Sequence, residues 1–219
     1  MKYKILIIVM FFICVFTLSK VHAEVNGLTL LGKVIYLDAG HGGKDSGAVS
    51  NQFLEKDMNL ILVKKLEQKL GSKGAIVYLT RDGDYDLAPK NYAVRKRPDL
   101  TKRAQLINNA KSDMYISIHL NSDTNPAWKG LQIFYTTKNK ENEEIGKVMY
   151  NTLKNNISNI KENKKDNSYF MYKQITRPGI LIEAGFISNP NDNYLLRQES
   201  YQDKLTDLIA KGVENYFNK

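Results

Sequence analysis

The sequence predicts an α/β fold: a single domain with a mostly parallel, twisted sheet flanked by helices on both faces. Three observations predict it. Strand-like and helix-like segments alternate along the chain, the pattern of a parallel sheet covered on both sides. No internal repeat breaks the alternation. Of the 219 residues, the 196 beyond the first 23 suit one domain with a sizeable core.

Each element follows from local pattern. Lys33–Asp38 is a β-branched and aromatic run, read as a strand. Leu54, Met58, Ile61, Leu62, Leu66 and Leu70 then recur at helical spacing and stop at Gly71. Ala75–Thr80 is strand-like. Asp82–Leu100 is polar and holds Pro89 and Pro98, so it reads as a loop, solvated or rimming a groove, with the cations Arg95, Lys96 and Arg97 inside it. Leu100, Ala104, Ile107 and Ala110 are helical again. Met114–Ile118 and Gly130–Thr136 are strands, and Glu143–Leu153 is a helix. Lys161–Ser168 reads as a polar loop, and Ile180–Ile182 as a short apolar strand. Ser200 and Asp203 have the spacing of a capping box that opens a last helix carrying Leu205, Leu208, Ile209, Val213 and Phe217. The apolar stripes of these helices are core-facing.

The N-terminus opens MKYKILIIVMFFICVFTLSKVHA. Lys2 and Lys4 precede an apolar run, Ile5–Leu18, and Val21-His22-Ala23 resembles a cleavage site. Residues 1–23 therefore read as a secretory signal peptide, 24–32 as a short linker, and 33–219 as the folded domain. An uncleaved anchor is the alternative, and the protein would then contact the membrane; the run is short for a span, which needs about 20 residues. Cys14 sits behind bulky Ile13, which excludes a lipoprotein signal. Cleavage removes the one cysteine, so no disulfide is expected in an exported chain. It also removes Lys2, Lys4 and Lys20, lowering the formal charge from +9 to +6. That balance suits an anionic polymer or surface, and no aromatic-basic module argues for nucleic acid.

Three apolar runs end in an ionisable group: VIYLDAGH, YISIHLN and GILIEAGF. In a parallel sheet their carboxyl ends share one edge, where open α/β sheets build their sites. His41, His119 and Glu183 would meet there, and His41 and His119 are the only histidines after His22 is removed. Glu55, in a helix first turn, either favours the helix dipole or joins them. Two imidazoles and one carboxylate form a catalytic zinc set with a fourth position for water. Gly40, Gly42, Gly43 and Gly47 let the loop bring His41 to it. Asp38 and Asp45 either orient His41 or serve the turn, with the turn preferred for Asp45. Glu183, set among aliphatic residues, should have a raised pKa and either pairs with an arginine or acts as the general base. Asn121 either touches substrate or closes a strand, and Arg81 and Arg103 read as structural. No G-x-S-x-G occurs, which argues against a serine hydrolase built on HGG.

Four blocks, YLDAGHGGKDSGA, LEKDMNL, ISIHLNS and LIEAGFISNP, closely resemble those of the zinc-dependent N-acetylmuramoyl-L-alanine amidases, the amidase-3 family. The resemblance runs from about Lys33 to the C-terminus. It implies one zinc ion per chain on His41, Glu55 and His119, with Glu183 catalytic. Ala39 departs from the proline common at that position. DLAP, RKRPDLTKRAQLIN, TRPGILIEAGFISNP and YQDKL further resemble the germination-specific branch. That branch implies cleavage of the muramoyl–L-alanine amide in spore cortex, on the way to muramic-δ-lactam, by a protein of the developing spore envelope. No wall-binding repeat is seen, so a targeting or activating partner protein is expected. The alternatives are an exported binding module without catalysis, or a zinc peptidase cutting another bond of the stem peptide.

Overall fold

The computed structural model describes residues 27–219, so the segment read as a signal peptide lies outside the described residues. The elements are β1 (Val34–Ala39), β2 (Val49–Ser50), β3 (Phe53–Leu54), α1 (Glu55–Gly71), β4 (Ile76–Leu79), α2 (Lys96–Asn109), β5 (Met114–Asn121), β6 (Gln132–Tyr135), α3 (Asn142–Lys154), β7 (Lys164–Lys165), β8 (Gly179–Phe186), α4 (Pro190–Leu196) and α5 (Glu199–Phe217). One six-stranded sheet runs β4-β1-β5-β8-β6-β7. Pairing is parallel from β4 through β8, antiparallel between β8 and β6, and parallel again to β7. The predicted fold class is the observed one.

Period-two alternation divides the central strands between two cores. Ile35, Leu37 and Ala39 of β1, Met114, Ile116, Ile118 and Leu120 of β5, and Ile180, Ile182 and Ala184 of β8 face a large aliphatic core. Helix α1 fills it with Leu62, Leu66 and Leu70, α3 with Met149 and Leu153, and α5 with Leu205, Ile209 and Val213. Burying one such leucine fully contributes about 1.5–3 kcal/mol. The opposite face has a smaller, aromatic core of Tyr36, Tyr115, Phe134, Tyr172 and Leu181, covered by Ala104 and Ile107 of α2.

Several expectations need correction. Residues 24–32 are not all linker: Leu30 is fully buried in the main core and its amide donates to Lys73 O at 2.8 Å. Ile61 lies off the helical stripe and is 41% exposed. The 82–100 loop ends at Arg95, because Pro98 falls in the first turn of α2, where a missing N–H costs nothing. Lys161–Ser168 contains β7. Ser200 does not cap the last helix: α5 starts at Glu199, and Asp203 instead reaches Lys65 of α1 at 2.7 Å. Here cross-helix pairing wins over the local capping bond.

Candidate active site

The pleat that sends aliphatic residues to one face sends Asp38, Ser117, His119 and Glu183 to the other. His119 and Glu183 are register partners on β5 and β8. Both lie within their strands rather than beyond them, since β5 continues to Asn121 and β8 to Phe186. His41 sits just past β1 with a left-handed φ of 62°, an uncommon state for a residue with a side chain. Its loop is tied to the start of α1: Glu55 N donates to Ala48 O at 2.9 Å, and Ala48 N donates back to Glu55 Oε2 at 2.8 Å. Between them, β2 and β3 form a hairpin turned by Asn51 and Gln52, both at positive φ.

These supports bring three ligand-type residues together. Glu55 Oε1 lies 3.1 Å from His41 Nε2 and 3.0 Å from His119 Nδ1. It also accepts from Leu120 N at 3.1 Å and from Asn59 Nδ2 at 3.3 Å. The three ligand atoms fall within 4.8 Å of one another. Two glycines permit this closeness. A Cβ at Gly40 would sit 2.2 Å from the His119 ring, and one at Gly47 would sit 2.5 Å from Glu55 Oε2.

Charge follows geometry. Burial opposes ionisation of Glu55, but the facing imidazoles of His119 and His41 outweigh it and hold the carboxyl below its ordinary value. Burial likewise opposes an imidazolium at His41, yet Asp45 and Glu55 flank its two nitrogens and raise it to about 9. Two nitrogens and a carboxylate oxygen converging on one point are a donor set suited to a divalent zinc-type cation.

Asp45 Oδ2 stands 2.9 Å from His41 Nδ1, an ion-pair distance although off the ring's hydrogen-bond axis. Asp45 Oδ1 accepts from Gly47 N at 3.1 Å. It therefore serves both the histidine and the turn. Asp38 does neither. Its carboxylate is buried and accepts from Ser117 Oγ at 2.5 Å, Thr80 Oγ1 at 2.7 Å and Arg103 Nη1 at 2.8 Å. Arg103 donates onward to Ala39 O at 2.7 Å and His41 O at 2.5 Å. Arg81 holds Ala39 O at 2.9 Å and Gly40 O at 3.0 Å. Two buried guanidinium groups thus clamp the carbonyls of the loop that presents His41, which is the structural role expected of both.

Glu183 is 7% exposed, and its Oε2 has no hydrogen-bond partner. The arginine pairing considered for it is not found among the described residues. Burial pushes its carboxyl up to about 7, with His119 pulling the other way. It faces a cavity of about 290 Å³ shared with His41, Glu55, His119 and Asn121. Asn121 also closes its strand: its carbonyl accepts from Ile187 N at 2.8 Å. Lys96 and Leu100, from the segment read as solvated or rimming a groove, line the same cavity, as do Tyr169 and Phe170, which had no sequence signal for that place. Of the three cations read as a cluster, Arg95 instead braces the loop through Asp86 at 2.6 Å.

The model of the N-acetylmuramoyl-L-alanine amidase family, Amidase_3, matches residues 35–215. The chain belongs to that family and is an amidase by class. Among curated relatives, the germination-specific N-acetylmuramoyl-L-alanine amidase of Bacillus subtilis (strain 168) is 43% identical over 196 residues, covering 88% of this chain and 83% of that protein. Among solved structures, the CwlD amidase from Clostridioides difficile in complex with the GerS lipoprotein matches with a TM-score of 0.81 and 34% identity, over 85% of this chain and 99% of that one. The catalytic domain of CwlV, an N-acetylmuramoyl-L-alanine amidase from Bacillus (Paenibacillus) polymyxa, matches with a TM-score of 0.75 and 29% identity, over 85% and 98%.

Proposed function

We propose that this amidase is zinc-dependent and cleaves the bond between N-acetylmuramic acid and the L-alanine of peptidoglycan stem peptides, in spore cortex, as a step toward muramic-δ-lactam and germination. His41, Glu55 and His119 would hold the ion, through the three atoms that converge at 3.0–3.1 Å. When bound, zinc supplies Lewis-acid polarisation of the amide carbonyl and activation of the attacking water. The observation that carries the reading is the unpartnered carboxyl of Glu183, buried on the same sheet face as the cluster.

Glu183 acts twice. Its ionised carboxylate takes a proton from water as the oxygen adds to the lactyl carbonyl carbon. The carboxylic acid so formed gives that proton to the alanine nitrogen as the C–N bond breaks, leaving a free amine and a lactyl acid. Burial raises the Glu183 carboxyl above its ordinary value, which strengthens it as a base toward water. Asn121, on the cavity wall, would hydrogen-bond the substrate.

The relatives support the setting. The 43% identical B. subtilis protein is named germination-specific, and the C. difficile structure is a complex with a lipoprotein. We infer that this chain is exported to the developing spore envelope, with residues 1–23 as its signal peptide and 33–219 as its catalytic domain. A partner protein would target or activate it there. No helix of the described residues is long and apolar enough to cross a membrane. Digestion of purified cortex and vegetative peptidoglycan, with and without a chelator, tests the reading. Stem peptides that begin with L-alanine, lost with chelator and restored by zinc, are expected in the mass spectrum. Fragments cut inside the stem peptide would make it a peptidase, and binding without turnover in the presence of zinc and partner would make it a wall-binding module.

A further inference from the structure

The connection leaving β5 carries Trp128, the single tryptophan of the chain. It is 51% exposed. Its loop is nonetheless firmly held. Asn125 N donates to Asp123 Oδ1 at 2.8 Å, Asn189 Nδ2 to Pro126 O at 2.7 Å, and Gly130 N to the buried Asp192 Oδ2 at 2.6 Å. Lys161 Nζ lies 4.1 Å from the centroid of the indole and 4.6 Å from that of Phe186. A cation therefore covers one part of the ring system while half of the residue stays in water.

The position of this pair matters. Phe186 is in register with Asn121, and Gln132 with Glu183. Lys161 N donates to Leu131 O at 2.8 Å, at the start of β6. Trp128 and Lys161 thus stand on the catalytic edge of the sheet, displaced from the histidine cluster toward β6. Neighbouring strands lie about 4.8 Å apart, so the step from β5 across β8 to β6 is about 10 Å, the reach of a short oligosaccharide.

We propose that Trp128, backed by Lys161, is a glycan subsite on which an N-acetylated hexosamine ring of the peptidoglycan strand stacks, beside the muramoyl residue whose amide faces Glu183. The proposal rests on the amidase reading above. A pyranose presents a C–H-bearing apolar face that packs on an indole, and its hydroxyl and acetamido oxygens accept from an ammonium group. A rigid loop suits the task, because little side-chain freedom is lost on binding.

The lone tryptophan makes the test direct. The holoenzyme is titrated with a peptide-free tetrasaccharide of alternating N-acetylglucosamine and N-acetylmuramic acid, which carries no scissile amide. A saturable change in intrinsic emission is expected. Trp128→Ala should raise KM about tenfold on a substrate of several disaccharide repeats with kcat kept. It should leave kcat/KM unchanged on a single muramoyl-peptide with no neighbouring sugars. Trp128→Phe should recover most of the loss. A flat emission titration, or an equal loss on both substrates, overturns the subsite. A normal emission response from an enzyme that, with zinc and partner present, cleaves neither substrate overturns the proposed cleavage and leaves the subsite standing.

Discussion

The two faces of β1, β5 and β8 are made by the same strands and answer to different demands. One face is aliphatic throughout and packs against α1, α3 and α5. The other, one residue out of step, buries Asp38, Ser117 and Glu183 and leaves His119 partly exposed to the cavity. The first face contributes stability, and the second gives some of it up for chemistry. Buried ions are kept there only where partners exist: Asp38 has Arg103, Thr80 and Ser117, while Glu183 has none.

The contrast can be broken first at its sharpest point. Glu183→Gln should lower kcat by about 10³–10⁴-fold while the folded state persists, measured by product release beside circular dichroism. A loss below tenfold would remove Glu183 from the chemistry. Arg103→Met comes next. It strands Asp38 and Asp99 in the interior, since Arg103 bonds both at 2.8 and 2.9 Å, and should cost about 3–5 kcal/mol in urea unfolding. On the aliphatic face, Leu66→Ala should cost about 3 kcal/mol with activity per folded molecule unchanged. If it instead abolished activity at full stability, the two faces would not be separable.

The smallest effect depends on pH. In the metal-free protein, Glu183 is held up at about 7, above its ordinary unfolded value. Between pH 4.5 and 7 the unfolded chain gives up a proton that the folded chain retains, so folding stability falls as pH rises through that window. Below it the contribution is fully present. Glu183→Gln lacks this loss. It should match the parent near pH 4 and be more stable than the parent above pH 7, a difference read from paired urea titrations.

The aliphatic face was the legible one. Its helical and strand periodicities come from burial, and burial is what such patterns record. Glu183 and the two histidines were also legible, because ionisable groups interrupt apolar runs at the same relative place in three strands. The arginine clamp was legible only in part. Arg81 and Arg103 were expected to be structural, but their targets are backbone carbonyls, which leave no trace in side-chain spacing. The β2–β3 hairpin was missed because Asn51-Gln52 is not a glycine turn. The α5 start was misread because Asp203 is drawn to Lys65, a partner 138 residues away.

The register of His119 against Glu183 has a consequence for timing. The two residues are 64 apart in sequence and become neighbours only when β8 docks beside β5 in the middle of the sheet. Pairings of such separation form late and slowly. A chain still folding therefore holds its hydrolytic parts in separate pieces, and catalytic competence arrives together with the completed sheet.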